Sequence, residues 1–276
     1  MSMALKDFQV LEIEGTDRVA FLQGQTTLDV TRLEPNAPLA RSAVLSPQGR
    51  VLATFWLWAE ADRLVLCLLR EQAEFLKQHL QKYVLRSKVR LAVHEITPAR
   101  GDWIQSQWPP LAVPGERTDG DGHEDLLTRM IRAQIAEVNA ATRERFTAHH
   151  LNLDWIGAVS FDKGCYTGQE IVVRTAHRGN VKRRLRLLES TQSPATDHEP
   201  RPKELDTLSL PSTVGVAAAP AEEDTQSTHA VVVNSVSLNN RILVLAVCPV
   251  DAPDEWTDGT HRFSTCTPSG QPRPQA

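Results

Sequence analysis

Cysteine is scarce in this sequence: Cys67, Cys165, Cys248 and Cys266 are its only four, and they stand far apart. Without a CxxC pair, neither a zinc ribbon nor a redox dithiol is expected, and a disulfide framework is equally unsupported. Such sparing use of cysteine fits a reducing compartment. Net charge is also small, and a formal value of -4 with a pI near 6.1 gives nucleic acid or an anionic membrane no global attraction. The aromatic stacking pattern of the common single-strand binders is missing too, so direct RNA binding is not expected. No apolar run approaches the roughly 20 residues that span a bilayer, which argues against a membrane association. Neither a Rossmann nor a Walker glycine loop occurs, and nucleotide-dependent chemistry is correspondingly not expected. The opening MSMALKDFQVLEIEG has neither the basic start and apolar centre of a signal peptide nor the Arg/Ser-rich, acid-poor character of a transit peptide. The expected location is the cytoplasm.

What is present suffices for a good core: 276 residues, enough for two subdomains. Phe8–Glu14 alternates as a strand and stops at Gly15, and a short helix carrying Val19–Leu22 runs into QGQTTLDV. Arg41–Leu45 and Arg50–Ala59 read as strands joined by the turn SerProGlnGly. The second of these is apolar on both faces, which suggests a buried central position. Arg63–Leu69 reads as another strand, Glu71–Val84 as a helix, and Lys88–Ile96 as a closing strand. The order β, α, β, β, β, α, β, with no parallel βαβ series, predicts an α+β sheet with helices on one face. From Thr97 to Asp125 a Pro/Gly/Asp-rich connection carries Trp103 and Trp108 as packing anchors, and Glu124–Asn139 restores helical spacing. Beyond the Pro-rich loop Glu189–Ser212, the segments Thr213–Ala217, His229–Val236 and Arg241–Val247 read as strands of a small β domain. From Asp251 onward a disordered tail is expected.

One stretch concentrates usable chemistry: KGCYTGQEIVVRTAHRGNVKRRLR, from Lys163 to Arg186. Its thiol, Cys165, lies between Gly164 and Gly168, and glycines permit tight turns and close approach of another molecule to the main chain. Lys163 could favour the thiolate, the form that is a nucleophile or a metal ligand. A lone Cys is commonly just a small core residue, but Lys163, Gln169 and Glu170 are poor core companions. The pairs in IVVR have strand character. Val181–Leu188 alternates as a strand with a cationic face, and Arg174, Arg178, Lys182 and Arg184 form a candidate anion patch for an acidic ligand or an RNA backbone. His149, His150 and His177 flank Cys165 without metal-ligand spacing, so no metal site is expected.

KGCYTGQE, preceded by HLNLDWIGAVSFD and followed by IVVRTAHRGNVKRR, resembles the signature of the YgfZ family, the folate-binding or tRNA-modifying proteins related to IBA57-type iron-sulfur assembly factors. QGQ-T-D near the N-terminus and Gly49-Arg50 resemble further elements of that family. The family is similar in fold to the glycine cleavage T-protein, a tetrahydrofolate-dependent aminomethyltransferase. The resemblance implies an α+β fold with two α+β lobes around a central folate site and a small C-terminal β-barrel. The divisions drawn on that basis are a lobe at 1–96, a second lobe with the KGCYTGQE loop at 97–180, the barrel at 181–250 and a tail at 251–276.

The implied activity is that of an accessory protein, not a turnover enzyme, which binds tetrahydrofolate or a derivative and serves the synthesis or repair of iron-sulfur proteins. tRNA modification would be affected indirectly. Partners would be iron-sulfur client enzymes or assembly proteins, and a cluster could be held transiently. Cys165 is then the functional thiol and Lys163 its modulator. The folate contacts implied are Phe8, Gln23, Gln25, Asp29, Leu126, Asn152, Gly164, Tyr166, Gly168, Gln169 and Glu170. Phe8 and Leu126 stand where the family tends to carry aromatics, and Gln134 where a helix-ending glycine is usual. The alternatives are a tetrahydrofolate-dependent aminomethyltransferase, which needs a carboxylate for acid/base work, and an RNA-binding module using the basic strand.

Overall fold

The computed structural model describes residues 5–35, 37–107, 126–179, 181–190, 201–209, 229–238 and 241–266. In chain order the first elements are β1 (Phe8–Glu14), α1 (Arg18–Gln23), β2 (Ala40–Leu45), β3 (Val51–Ala59), β4 (Arg63–Leu69), α2 (Arg70–Gln81), β5 (Arg90–His94) and α3 (Pro98–Gln107). Then come α4 (Leu126–Arg132), α5 (Gln169–Arg178), β6 (Arg183–Ser190), β7 (Thr207–Leu208), β8 (Ala230–Leu238), β9 (Arg241–Pro249), β10 (Glu255–Thr257) and β11 (Arg262–Cys266). Contacts group the chain into two units, one from Ala4–Pro110 with Val138–Gly179, the other chiefly from Leu111–Glu137 with Asn180–Gln275. This grouping differs from the linear division expected above, since α3 and the Cys165 segment go with the first lobe and α4 goes with the C-terminal strands. The expected strand Thr213–Ala217 and the anchor Trp108 lie outside the described residues.

The first unit is built on an antiparallel sheet of order β2-β3-β4-β1-β5. Every residue of β3 is buried, as its two apolar faces demand. One face (Leu11, Ile13, Phe55, Leu57, Leu64, Leu66) packs with Phe21 and Leu22 of α1 and with Ala73, Leu76 and Leu80 of α2. Those α2 positions recur at helical spacing, so their burial orients the helix on the sheet. The segment 98–107, expected as a connection, is a helix with Pro98 at its start, where the missing N–H costs nothing. Trp103 is a packing anchor, its ring centroid 5.2 Å from that of Trp58. Arg100 of α3 donates to Glu12 Oε1 at 2.7 Å and to Glu60 at 3.0 Å, while Arg63 donates to Glu12 Oε2 at 2.9 Å. Burial alone would raise the Glu12 carboxyl, but its bonds to Arg100 and Arg63 outweigh it and hold the group below the usual range.

The second unit is a six-stranded sheet, β10-β11-β6-β9-β8-β7, whose edges meet through a bridge between Ser209 and Thr257. It thereby closes as a small barrel. Leu188, Leu208, Val232, Val244, Trp256 and Phe263 fill the interior, and α4 packs on β8 and β9. Residues 255–257 and 262–266 are paired strands, not the tail expected from composition. Their apolar share is only Trp256 and Phe263, both fully buried, and two large anchors proved enough to order the segment. The helical spacing of 124–139 yields only α4, because Gln134 takes a left-handed φ of 55° that ends the helix. No helix among the described residues is long and apolar enough to cross a membrane.

Candidate thiol site

The site grows from the end of α1. Gly24 caps that helix, and the QGQTTLD loop beyond it is braced by its own side chains. Gln23 Nε2 donates to Asp29 Oδ1 at 2.9 Å, and Gln23 Oε1 accepts from the Val30 N–H at 2.8 Å. Asp29 Oδ1 also accepts from the Thr31 hydroxyl at 2.6 Å and its N–H at 3.1 Å, and Arg32 lies 3.0 Å from Oδ2. These donors, Thr31 foremost, hold the Asp29 carboxyl below its ordinary range.

The segment that leads to Cys165 docks onto this loop. Thr27 Oγ1 donates to the Ala158 carbonyl at 2.6 Å, Ser160 N–H to the Thr27 carbonyl at 2.9 Å, and Asp29 N–H to Ser160 Oγ at 2.9 Å. Arg32 and Asp162 pair at 2.6 Å. Lys163 is buried, and its ammonium donates to the carbonyls of Gln23 (2.8 Å), Thr26 (2.7 Å) and Leu28 (2.6 Å). It also lies 5.0 Å from the centre of the Tyr166 ring, within cation–π range. Burial pulls the Lys163 ammonium down to about 8.

Past the thiol, the Thr167 N–H donates to the Gly24 carbonyl at 3.3 Å. Gly168 has a φ of 81°, and a Cβ there would stand 2.5 Å from the Ser46 carbonyl oxygen and 3.2 Å from Gly49 Cα. Gly49, with φ 71°, would in turn put a Cβ 2.7 Å from that of Ile171. Two glycines therefore let the SerProGlnGly turn and the start of α5 touch backbone to backbone. The expected strand character of IVVR gives way to this helix. The helical cost of β-branched residues is only a few tenths of a kcal/mol each, roughly, and left-handed Gly168 and Gly179 mark both ends.

Three separate sequence motifs thus converge in one unit. Cys165 is exposed at the convergence, between exposed Gly164 and buried Tyr166. Tyr166 is only 7% exposed, its hydroxyl has no hydrogen-bond partner, and burial pushes its pKa up to about 12. Gln25 Oε1, on the facing loop, is likewise buried and without a partner. Gln169 opens α5, and Glu170 is exposed 3.9 Å from Arg174.

Other residues named from the sequence fall elsewhere. Phe8 is 1% exposed in the sheet, Asn152 is buried with a φ of 54°, and Leu126 begins α4 in the barrel unit. Arg174 and Arg178 lie on α5, whereas Lys182 and Arg184 belong to the barrel unit. On the cationic strand face Arg186 donates to the Ala252 carbonyl at 3.3 Å, while Arg183, on the other face, donates to that of Val247 at 2.9 Å. Among the described residues no group of three or more His, Cys, Asp or Glu could hold a metal ion. Sequence reasoning missed Thr27, Arg32, Ala158 and Ser160. No local periodicity marks them, because each works through a partner more than a hundred residues away.

No protein-family model matches the chain. It is 28% identical over 227 residues to the tRNA-modifying protein YgfZ of Hamiltonella defensa, covering 66% of this chain and 67% of that protein. It is 29% identical over 217 residues to a mitochondrial iron-sulfur cluster assembly factor IBA57 homologue of Pyricularia oryzae, again over 66% of this chain but only 55% of that longer protein. Its fold matches the glycine cleavage system aminomethyltransferase T of Bartonella henselae with a TM-score of 0.63 over 95% of this chain and 84% of that one, at 14% identity. By sequence the chain is a relative of the YgfZ and IBA57 proteins, and its α+β architecture is that of the glycine cleavage aminomethyltransferase.

Proposed function

We propose that the chain is a folate-binding accessory protein for the synthesis or repair of iron-sulfur proteins, with Cys165 as its working thiol. Its influence on tRNA modification would run through iron-sulfur enzymes that act on tRNA. The observation that carries this reading is the placement of Cys165, exposed on a loop pinned at Lys163 before it and at Gly168 after it. Only the thiolate is a nucleophile or a metal ligand, and it must be accessible to act. One exposed thiol offers iron or a cluster one ligand, so the cargo's other ligands would come from the donor or client protein. Partners are accordingly iron-sulfur assembly proteins or client enzymes.

A folate site would draw on the buried polar atoms left without partners, the Tyr166 hydroxyl and Gln25 Oε1, since such atoms cost free energy unless a ligand or water satisfies them. Gln23 and Asp29 would shape that site rather than contact the ligand, because their polar atoms already serve the loop. When bound, a tetrahydrofolate supplies a reduced pterin that carries one-carbon units. Likeness to the aminomethyltransferase at 14% identity supports the fold alone, and transferase turnover is not the favoured reading.

The test is complementation. In cells lacking the gene, an iron-sulfur tRNA-thiolating enzyme should lose activity, and wild type but not Cys165→Ala should restore it. Equal rescue by both would make Cys165 structural, and absence of any defect would refute the accessory role. Titration of the purified protein with tetrahydrofolate tests the second half of the reading, with Tyr166→Phe expected to weaken binding.

A further inference from the structure

Lys163 has the geometry of a device rather than of a nearby charge. An ammonium has three N–H donors and no acceptor, and three carbonyls, of Gln23, Thr26 and Leu28, receive hydrogen bonds from it at 2.8, 2.7 and 2.6 Å. All three acceptors belong to the QGQTTL loop, while the donor stands two residues before the thiol. Other residues of the thiol segment make fewer bonds to that loop, Ser160 two and Thr167 one, the latter from its N–H to the Gly24 carbonyl at 3.3 Å. We propose that Lys163 is the positioning residue of the thiol loop, its ammonium clamping three carbonyls of the facing loop and so fixing where Cys165 is presented. This rests on the reading of Cys165 as the working thiol. It differs from a role in which Lys163 acts on the thiol through charge alone.

One physical consequence separates clamp from charge. A planar guanidinium cannot direct three donors at three carbonyls gathered around one tetrahedral nitrogen, so Lys163→Arg keeps the charge and loses the clamp. Among the groups facing the ammonium, Asp29 on the clamped loop is the one of opposite charge. Asp29 is itself engaged by Arg32, which also pairs with Asp162, and the Tyr166 ring covers another side as a neutral phenol.

The test is amide hydrogen exchange on the whole chain, corrected for the intrinsic rate of each amide. In wild type, peptides covering 23–30 and 163–168 should be protected at least about five- to tenfold beyond unstructured chain, the effect of a hydrogen bond made, as those of β6 and β9 are. At pH 7, Lys163→Met and Lys163→Arg should both show the unprotected loops. Wild-type-like protection in Lys163→Arg would overturn the clamp in favour of charge, and unchanged protection in Lys163→Met would overturn both. Should either variant unfold, shown by β6 and β9 losing protection as well, the wild type decides: exchange of 23–30 and 163–168 at unstructured-chain rates refutes the proposal. Exchange requires no client protein, so the clamp can fail while Cys165→Ala still abolishes rescue. It can equally stand while Cys165→Ala rescues fully and the functional reading falls.

Discussion

Gly168→Ala is the sharpest perturbation of the thiol site, because two costs fall on one methyl group. Holding an L-residue at a φ of 81° costs roughly 1–2 kcal/mol. The added Cβ would stand 2.5 Å from the Ser46 carbonyl oxygen and 3.0 Å from Leu45 Cβ. Backbone and β-strand atoms cannot swing aside as a side-chain tip would, and overpacking of this kind typically costs about 1–3 kcal/mol. The sum is roughly 2–5 kcal/mol against a typical total stability of about 5–15 kcal/mol. Relief would have to come from parting α5 from the Ser46–Gly49 turn, which also carries the thiol loop. Urea denaturation should therefore show a lower midpoint, and thermal melting a fall of roughly 2–4 °C for each kcal/mol in a domain of 150–250 residues. Gly164→Ala is the control, since no atom lies within 4 Å of a Cβ built there. An unchanged midpoint in Gly168→Ala, or an equal loss in Gly164→Ala, would refute the backbone-to-backbone contact as the reason for the glycine.

Reaction of the native protein with a small thiol reagent at pH 7.5 should label Cys165 quickly and the other three cysteines only on unfolding. Cys67 and Cys248 are fully buried, burial pushes Cys248 up to about 12, and burial followed by the bond to Glu189 pushes half-buried Cys266 up to about 11. Leu76→Ala, which empties a fully buried position under α2, should cost about 2–5 kcal/mol in urea titration. Glu95 is held down to about 2, first by its hydrogen bonds from Arg70 and then by that from Gln9. Its stabilising contribution is full above about 4.5, the unfolded value, and is lost as pH falls through the folded one. The gap in urea midpoint between wild type and Glu95→Gln should therefore close between pH 5 and pH 2, and shrink in high salt because the pair is exposed.

Much of the fold was legible because local pattern and burial agree. The all-apolar β3, the helical spacing of Leu76 and Leu80, and the Pro-Gly turn before Arg50 each follow from short-range rules, and the first sheet has the expected element order. The thiol segment was legible as well, since glycines around a lone cysteine with polar neighbours do not suit a core. Local pattern misled at IVVR, where a weak strand preference lost to the left-handed Gly168 and Gly179 and to the packing of Ile171 on Gly49. It misled again at 255–266, where a polar composition concealed the burial of Trp256 and Phe263 in a closed barrel.

Only the tertiary structure decided what the polar residues do. Gln23 and Asp29, folate contacts by the resemblance, brace their own loop, and Lys163, two residues before the thiol, spends its donors on carbonyls more than a hundred positions earlier. A side chain's type states what it can donate or accept. Which partner satisfies it depends on what burial brings within 3 Å or so, and for this loop the partners come from the other end of the unit.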